Sequence, residues 1–165
     1  MALTSDEEIR NFVGPQTQVI DANQRELIPS FIESLLHLFT GGATLSMLNL
    51  SNVFGFDAVY DAFQTYINDN PGDHLLSAFS TNYSVFGDDV RPDRNILDKI
   101  TTDRSICMIS VDLHCAKANT CALKVAGVLQ GAELGHGSEV LMGEGGLATG
   151  ALREFEAMVG CTLGG

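Results

Sequence analysis

The sequence predicts an α/β fold built from mixed layers of helix and strand. Three observations point to it. Helical and extended patterns alternate along the chain, which favours layered α/β over an all-helical or all-strand architecture. Ile106-Cys-Met-Ile-Ser-Val111 is almost wholly apolar, as expected of a buried strand. Residues 56–68 carry Val59, Ala62, Phe63, Tyr66 and Ile67 at the spacing of one helix face.

The elements follow in order. Thr4-Ser5-Asp6-Glu7-Glu8 reads as a helix cap with acid in the first turn, and Gly14-Pro15 stops that helix after Phe12. Residues 17–21 and 25–28 flank Ala22-Asn23-Gln24 as a β-hairpin arm. Ser30 to Phe39 is apolar on both faces and is expected to be a buried strand, with an amphipathic helix as the competing reading. Residues 44–53 hold Leu45, Met47, Leu48 and Leu50 without a decisive period. The helix over 56–68 ends at Asn70-Pro71-Gly72-Asp73, and Leu75 to Phe79 follows as a strand. A short helix is expected over 95–100, the strand over 106–111, and a helix over 116–128 closed by Gly127. Residues 131–150 are glycine-rich, with an extended piece at 139–142. A last helix is expected over 152–159, and residues 160–165 as a frayed tail. The organisation is therefore an N-terminal helix and β-arm over 1–29, an α/β domain over 30–159, and the tail.

Composition excludes several functions. The 165 residues suffice for a domain with its own core, and 45% hydrophobic against 18% charged residues is a globular composition. Nine Lys and Arg against 21 Asp and Glu leave a net charge of -12, which repels phosphate backbones, so no nucleic-acid partner is expected. The first eight residues lack the basic and apolar regions of a secretory signal, and no run of about 18 apolar residues exists, so no membrane association and a cytoplasmic location are expected. Cys107, Cys115, Cys121 and Cys161 form no Cys-x-x-Cys pair and read as reduced, core-filling thiols. Gly143-Glu-Gly-Gly146 lacks the Lys-Ser/Thr of a phosphate loop, and no serine sits in a Gly-x-Ser-x-Gly elbow.

Several segments together resemble a known family. Val19-Ile-Asp21 followed by Leu27-Ile-Pro-Ser-Phe-Ile-Glu-Ser-Leu-Leu-His-Leu38 is similar to the segment that leads the metal-dependent amidohydrolase superfamily into its first barrel strand. Asp89-Val-Arg-Pro92, Asp112-Leu-His114, Asn119-Thr-Cys-Ala-Leu123 and Gly146-Leu-Ala-Thr-Gly-Ala-Leu-Arg-Glu154 resemble the amidohydrolase family 3 branch. The resemblance implies a TIM-like barrel, one or two divalent metals, usually zinc, and a metal-activated water attacking a carbon–nitrogen bond. A complete barrel takes roughly 200 residues or more, so this chain is expected to form only a partial amidohydrolase-like architecture.

The metal pattern departs from the family's. Leu35 stands where the first histidine of the His-x-His pair belongs, and Glu33 where the aspartate belongs. Along a strand, Glu33, position 35 and His37 share a face, so Glu33 and His37 remain candidate ligands. By resemblance Glu154 joins them, while Asp112, His114, Asn119 and Arg153 are candidate substrate-binding residues. The Asp112-x-His114 spacing also suits a shared metal, a carboxylate orienting an imidazole, or a helix cap with a solvated histidine. Lys117 takes a position where the branch commonly carries tryptophan, and Ser30 replaces the usual glycine. No catalytic residue is assigned.

The resemblance thus implies a metal-dependent hydrolase of carbon–nitrogen, non-peptide bonds, with zinc or no metal bound and with activity impaired or absent in this chain alone. The alternatives are a non-catalytic small-molecule-binding or regulatory relative, or an inactive truncated portion. A small-molecule ligand is the expected partner, with self-association through exposed apolar surface as a second.

Overall fold

A computed structural model describes residues 5–23, 25, 30, 38–87, 90 and 92–162. The chain divides into two units, Met1–Leu36 and His37–Gly165.

In the first unit, helix α1 (Asp6–Ile9) starts where the Ser5 hydroxyl accepts a hydrogen bond from the Glu8 N–H at 3.4 Å, and a 3-10 turn (Arg10–Phe12) extends it. This matches the acidic cap read from Ser5 to Glu8. The hairpin expectation differs: residues 17–22 form no strand, and 26–29 lie outside the described residues. The expected strand over 30–39 also lies largely outside them, together with Glu33, Leu35 and His37. Its last two residues, Leu38 and Phe39, open a helix, α2 (Leu38–Thr44).

The second unit is a mixed layer structure. Its sheet runs β1 (Leu48–Asn49), β2 (Leu75–Thr81), β3 (Ser105–Ser110), β4 (Cys115–Ala118), β6 (Ala148–Arg153), β5 (Glu139–Met142) from edge to edge. The β1–β2–β3 half is parallel and the β4–β6–β5 half antiparallel to its neighbours. Among the described residues, α3 (Phe56–Asp69) joins β1 to β2, α4 (Arg94–Asp98) joins β2 to β3 and α5 (Thr120–Val125) joins β4 to β5, while α2 precedes β1 and α6 (Glu154–Thr162) follows β6.

The two faces of the sheet build two cores. On the first face, Val59 and Phe63 of α3 and Leu97 of α4 pack with Leu76, Ala78, Ile106 and Met108. The helical period of α3 brings Val59 and Phe63 onto that face, one turn apart. On the second face, Cys107, Ala116, Ala118 and Leu152 pack with Ala122 and Leu123 of α5 and with Ala157, Met158 and Cys161 of α6. Each large apolar side chain so buried contributes roughly 1.5–3 kcal/mol. The small residues of β4 let α5 and α6 approach closely.

Three boundaries differ from the sequence reading. The expected helix over 116–128 begins with strand β4, because its residues pair with β3 and β6 on both sides. Strand β6 emerges from the glycine-rich stretch. The expected frayed tail is helical through Thr162, and Cys161, 2% exposed, explains why: it packs into the second core. Among the described residues, no helix is long and apolar enough to cross a membrane.

Candidate functional site

The helices of the first face cover the parallel half of the sheet. On the antiparallel half, the residues that alternate with the second core point away from it: Cys115 and Lys117 on β4, Leu141 on β5, and Thr149, Ala151 and Arg153 on β6. Over them lies a cleft of about 580 Å³, whose rim is completed by Tyr83, Ser84, Val90, Pro92 and Asp93. Period-two alternation thus produces both the core and the floor of the cleft.

At one end of this cleft the turn from β3 to β4 organises a carboxylate. Asp112 Oδ2 accepts the Tyr83 hydroxyl at 2.8 Å, and Asp112 Oδ1 accepts the Ser110 hydroxyl at 2.6 Å and the His114 N–H at 3.2 Å. The Ser110 oxygen also accepts the Cys115 N–H at 3.0 Å, which closes the turn. Leu113, inside this turn, has φ 65°. A leucine pays for that left-handed geometry, of order 1–3 kcal/mol, and the bonds around Asp112 hold it there.

The electrostatics follow from these bonds. The Ser110 hydroxyl, then the Tyr83 hydroxyl, stabilise the ionised carboxylate and hold Asp112 down at about 2. The same carboxylate, as the main cause, pushes the Tyr83 phenol up to about 12. The depressed Asp112 contributes stability above its unfolded value, near 3.8, that is lost as pH falls through about 2. The raised Tyr83 contributes stability below its unfolded value, near 10, that is lost as pH rises through about 12. Between those limits the pair is a neutral phenol donating to a carboxylate. Asp112→Ala is therefore expected to bring one phenol titration, followed by absorbance at 295 nm, down from about 12 towards the ordinary tyrosine range. An unmoved high-pH transition would show that Asp112 does not hold Tyr83.

His114 is oriented by a different acid from the one its sequence spacing suggests. Its Nδ1 lies 3.3 Å from Glu154 Oε2, while Asp112 takes only its backbone N–H. The Glu154 N–H donates to the His114 carbonyl at 2.9 Å, so strand end and helix start are joined twice. Glu154 itself has φ 60°, a second strained junction beside the first. Both side chains are largely exposed, at 65% and 48%, so the pair is worth little to stability. No helix follows Asp112, so the helix-cap reading does not apply; it caps a turn into β4.

The remaining candidates separate. Arg153 lines the cleft and pairs with Glu139 across the strand register at 2.9 Å. Asn119 is fully buried and caps α5; its oxygen accepts from the Ile106 and Ala122 N–H groups, and its amide donates to the Thr101 and Arg104 carbonyls. It has no polar atom left for a ligand. Glu33 and His37 lie outside the described residues. Among the described residues no three His, Cys, Asp or Glu side chains come together as a metal cluster, so Glu154 has His114 as its neighbour and not a ligand set. Tyr83 and Ser110 are partners that sequence reading missed. Ser110 is recoverable, since Ser-x-Asp in a turn is a local hydrogen-bonding pattern; Tyr83, 29 residues from Asp112, is not.

The model of the amidohydrolase family matches residues 18–161. Among curated proteins, the chain is 29% identical over 148 residues to Protein LONG AFTER FAR-RED 3 of Arabidopsis thaliana, covering 87% of this chain and 24% of that protein. It is 25% identical to the putative amidohydrolase YtcJ of Bacillus subtilis, covering 84% and 26%, and 22% identical to N-substituted formamide deformylase of Arthrobacter pascens, covering 93% and 29%. The chain thus spans about a quarter of the length of the curated relatives it matches. The fold resembles that of an uncharacterised metal-dependent hydrolase from Pyrococcus horikoshii, with TM-score 0.53 and 20% identity over 81% of this chain and 23% of that one. A second from Pyrococcus furiosus gives TM-score 0.52 and 21% identity over 81% and 24%.

Proposed function

Because this chain belongs to the amidohydrolase family, we propose that its described part is the substrate-side wall of a metal-dependent hydrolase of carbon–nitrogen, non-peptide bonds. The observation that carries this reading is the cleft over the open half of the sheet, with the Tyr83–Asp112 pair held at its end by the strained turn around Leu113. Such a concave surface, with few convergent polar groups on an apolar floor, suits a small organic ligand. Arg153 supplies a positive charge at the cleft, Tyr83 a phenol held by Asp112 behind it, and His114 an exposed imidazole whose Nδ1 lies 3.3 Å from Glu154.

The family implies a divalent ion, on this reading zinc, whose chemistry is to polarise a carbonyl and activate water. The described residues do not fit that role by themselves, since a catalytic zinc takes three protein ligands. His37 and Glu33 are the chain's candidates for it. This division favours a chain that binds substrate but turns over weakly or not at all alone.

The test is the chain loaded with zinc or manganese and assayed on N-substituted formamides and simple anilides, with bound metal measured by elemental analysis. Binding of these compounds by calorimetry, with little or no hydrolysis and less than one metal per chain, is the expected result. Absence of binding by any of them would remove the substrate-wall reading. Full turnover with stoichiometric metal would refute the weak-activity part.

A further inference from the structure

We propose that the Thr81 hydroxyl is the polar end of a ligand subsite, and that it takes the carbonyl oxygen of a small amide held in the cleft. The proposal rests on reading the cleft as a substrate wall.

Strand register places Thr81 there. Between β2 and β3, Ala78 pairs with Met108, yet Thr81 and not Ser80 pairs with Ser110. One extra residue has entered β2, and Ser80 absorbs it with φ 61°. Unbroken alternation would turn Ser80 towards the face of Ala78, Met108 and Ser110, and Thr81 towards the other. The bulge reverses this and gives Thr81 to the face that carries the cleft. Bulges next to functional sites re-aim side chains in this way, and a non-glycine residue at positive φ costs of order 1–3 kcal/mol.

The hydroxyl so placed has no partner. Thr81 is 4% exposed, and its Oγ1 is buried without a hydrogen bond, alone in this among the described side chains. Such an orphan costs roughly 1–3 kcal/mol. Thr81 lines a recess of about 10 Å³, which shares Tyr83, Pro92, Cys115 and Lys117 with the cleft. That volume admits about one oxygen or nitrogen atom. Around the recess Met108 and Pro92 are apolar, the Ser110 and Tyr83 hydroxyls donate to Asp112 at 2.6 and 2.8 Å, and Asn82 and Lys117 are the other polar side chains. A planar amide suits this mixed lining. Its carbonyl oxygen fits the recess and accepts the Thr81 O–H, while its substituent lies along the apolar floor at Leu141 and Ala151.

Formamide is the probe, titrated into the whole 15N-labelled chain and followed by amide chemical shifts. Shifts centred on Thr81, Ser110, Cys115 and Lys117 are expected. Thr81→Val should weaken binding about tenfold, equivalent to about 1.4 kcal/mol, and Thr81→Ser should retain it. Thr81→Val should also melt at or above the wild-type temperature, because it replaces an unsatisfied buried hydroxyl by an isosteric methyl. Formamide binding in the cleft that is the same in Thr81→Val overturns the subsite and leaves the substrate wall standing. Loss of stability in Thr81→Val overturns it too, by revealing a structural partner. No formamide shifts anywhere in the cleft overturns both.

Discussion

Gly150→Ala is expected to destabilise the chain by about 3–5 kcal/mol, lowering Tm by roughly 10 °C. Two independent costs add. Gly150 has φ 100°, a conformation that alanine adopts only under strain. A Cβ there would also lie 2.6 Å from the Ala118 carbonyl oxygen and 2.8 Å from the Arg94 nitrogen. Both are backbone atoms, so no side chain can swing aside. The neighbourhood is tied together further. Arg94 donates through Nε to the Ala148 carbonyl at 2.9 Å and through its guanidinium to Thr120 Oγ1 at 3.2 Å, and Thr120 donates to Asp98 at 2.6 Å. Strand β6, helix α4 and the start of α5 meet at this point, and strand β6 carries Thr149, Ala151 and Arg153 into the cleft. Gly146→Ala is the control: its φ is 75° and a Cβ there meets nothing within 4 Å, so it should lose only about 1–2 kcal/mol. Thermal unfolding followed by circular dichroism compares them. Equal losses would show that the close approach at Gly150 is not what matters.

The contrast between these two glycines shows where sequence stops informing. Both sit in one glycine-rich run, and nothing local tells them apart. The difference is made by β4 and α4, which arrive from elsewhere in the chain. Long, strongly patterned segments escape this ambiguity. α3 and β3 were legible because Val59, Phe63, Ile106 and Met108 repeat with the period of the element that buries them. β5 was legible at Glu139–Met142. β4 was not, because Ala116, Lys117 and Ala118 are good helix formers that become strand only by pairing on both sides. β6 was hidden because Ala148-Thr-Gly-Ala has little strand propensity of its own.

The site divides along the same line. Asp112 and His114 could be picked from the sequence, because a polar pair closing an apolar strand stands out. Their partners could not be, since Tyr83 precedes Asp112 by 29 residues and Glu154 follows His114 by 40. Sheet order decides those encounters. Thr81 was less legible still. Its direction depends on a single extra residue in β2, and shifting register by one residue exchanges the faces of a strand. A family resemblance carries over residue types, but it does not say which of them face a ligand.

Asn119 is the clearest case, and its replacement carries the second large expected effect. Asn119→Leu should cost about 3–5 kcal/mol in denaturant unfolding. The side chain is buried and makes four hydrogen bonds, at 2.9 Å to Ile106 N, 2.9 Å to Ala122 N, 3.1 Å to Thr101 O and 2.8 Å to Arg104 O. Leucine is close in size but removes every partner at once. It also strips the cap from α5, whose first turn then loses a donor's partner. Asn119→Asp separates the two halves of the role. Its oxygens still accept from Ile106 and Ala122, but they face the Thr101 and Arg104 carbonyls, where only a proton relieves the repulsion. Burial and those carbonyls favour the protonated acid, so its folded-state pKa rises above the unfolded value of about 3.9. A raised carboxyl pKa gives stability that is fully present below the unfolded value and lost as pH rises. The deficit of Asn119→Asp relative to wild type should therefore shrink as pH falls towards about 4, while that of Asn119→Leu stays constant. If Asn119 instead served the ligand, Asn119→Leu would unfold within about 1 kcal/mol of wild type and lose amide binding alone.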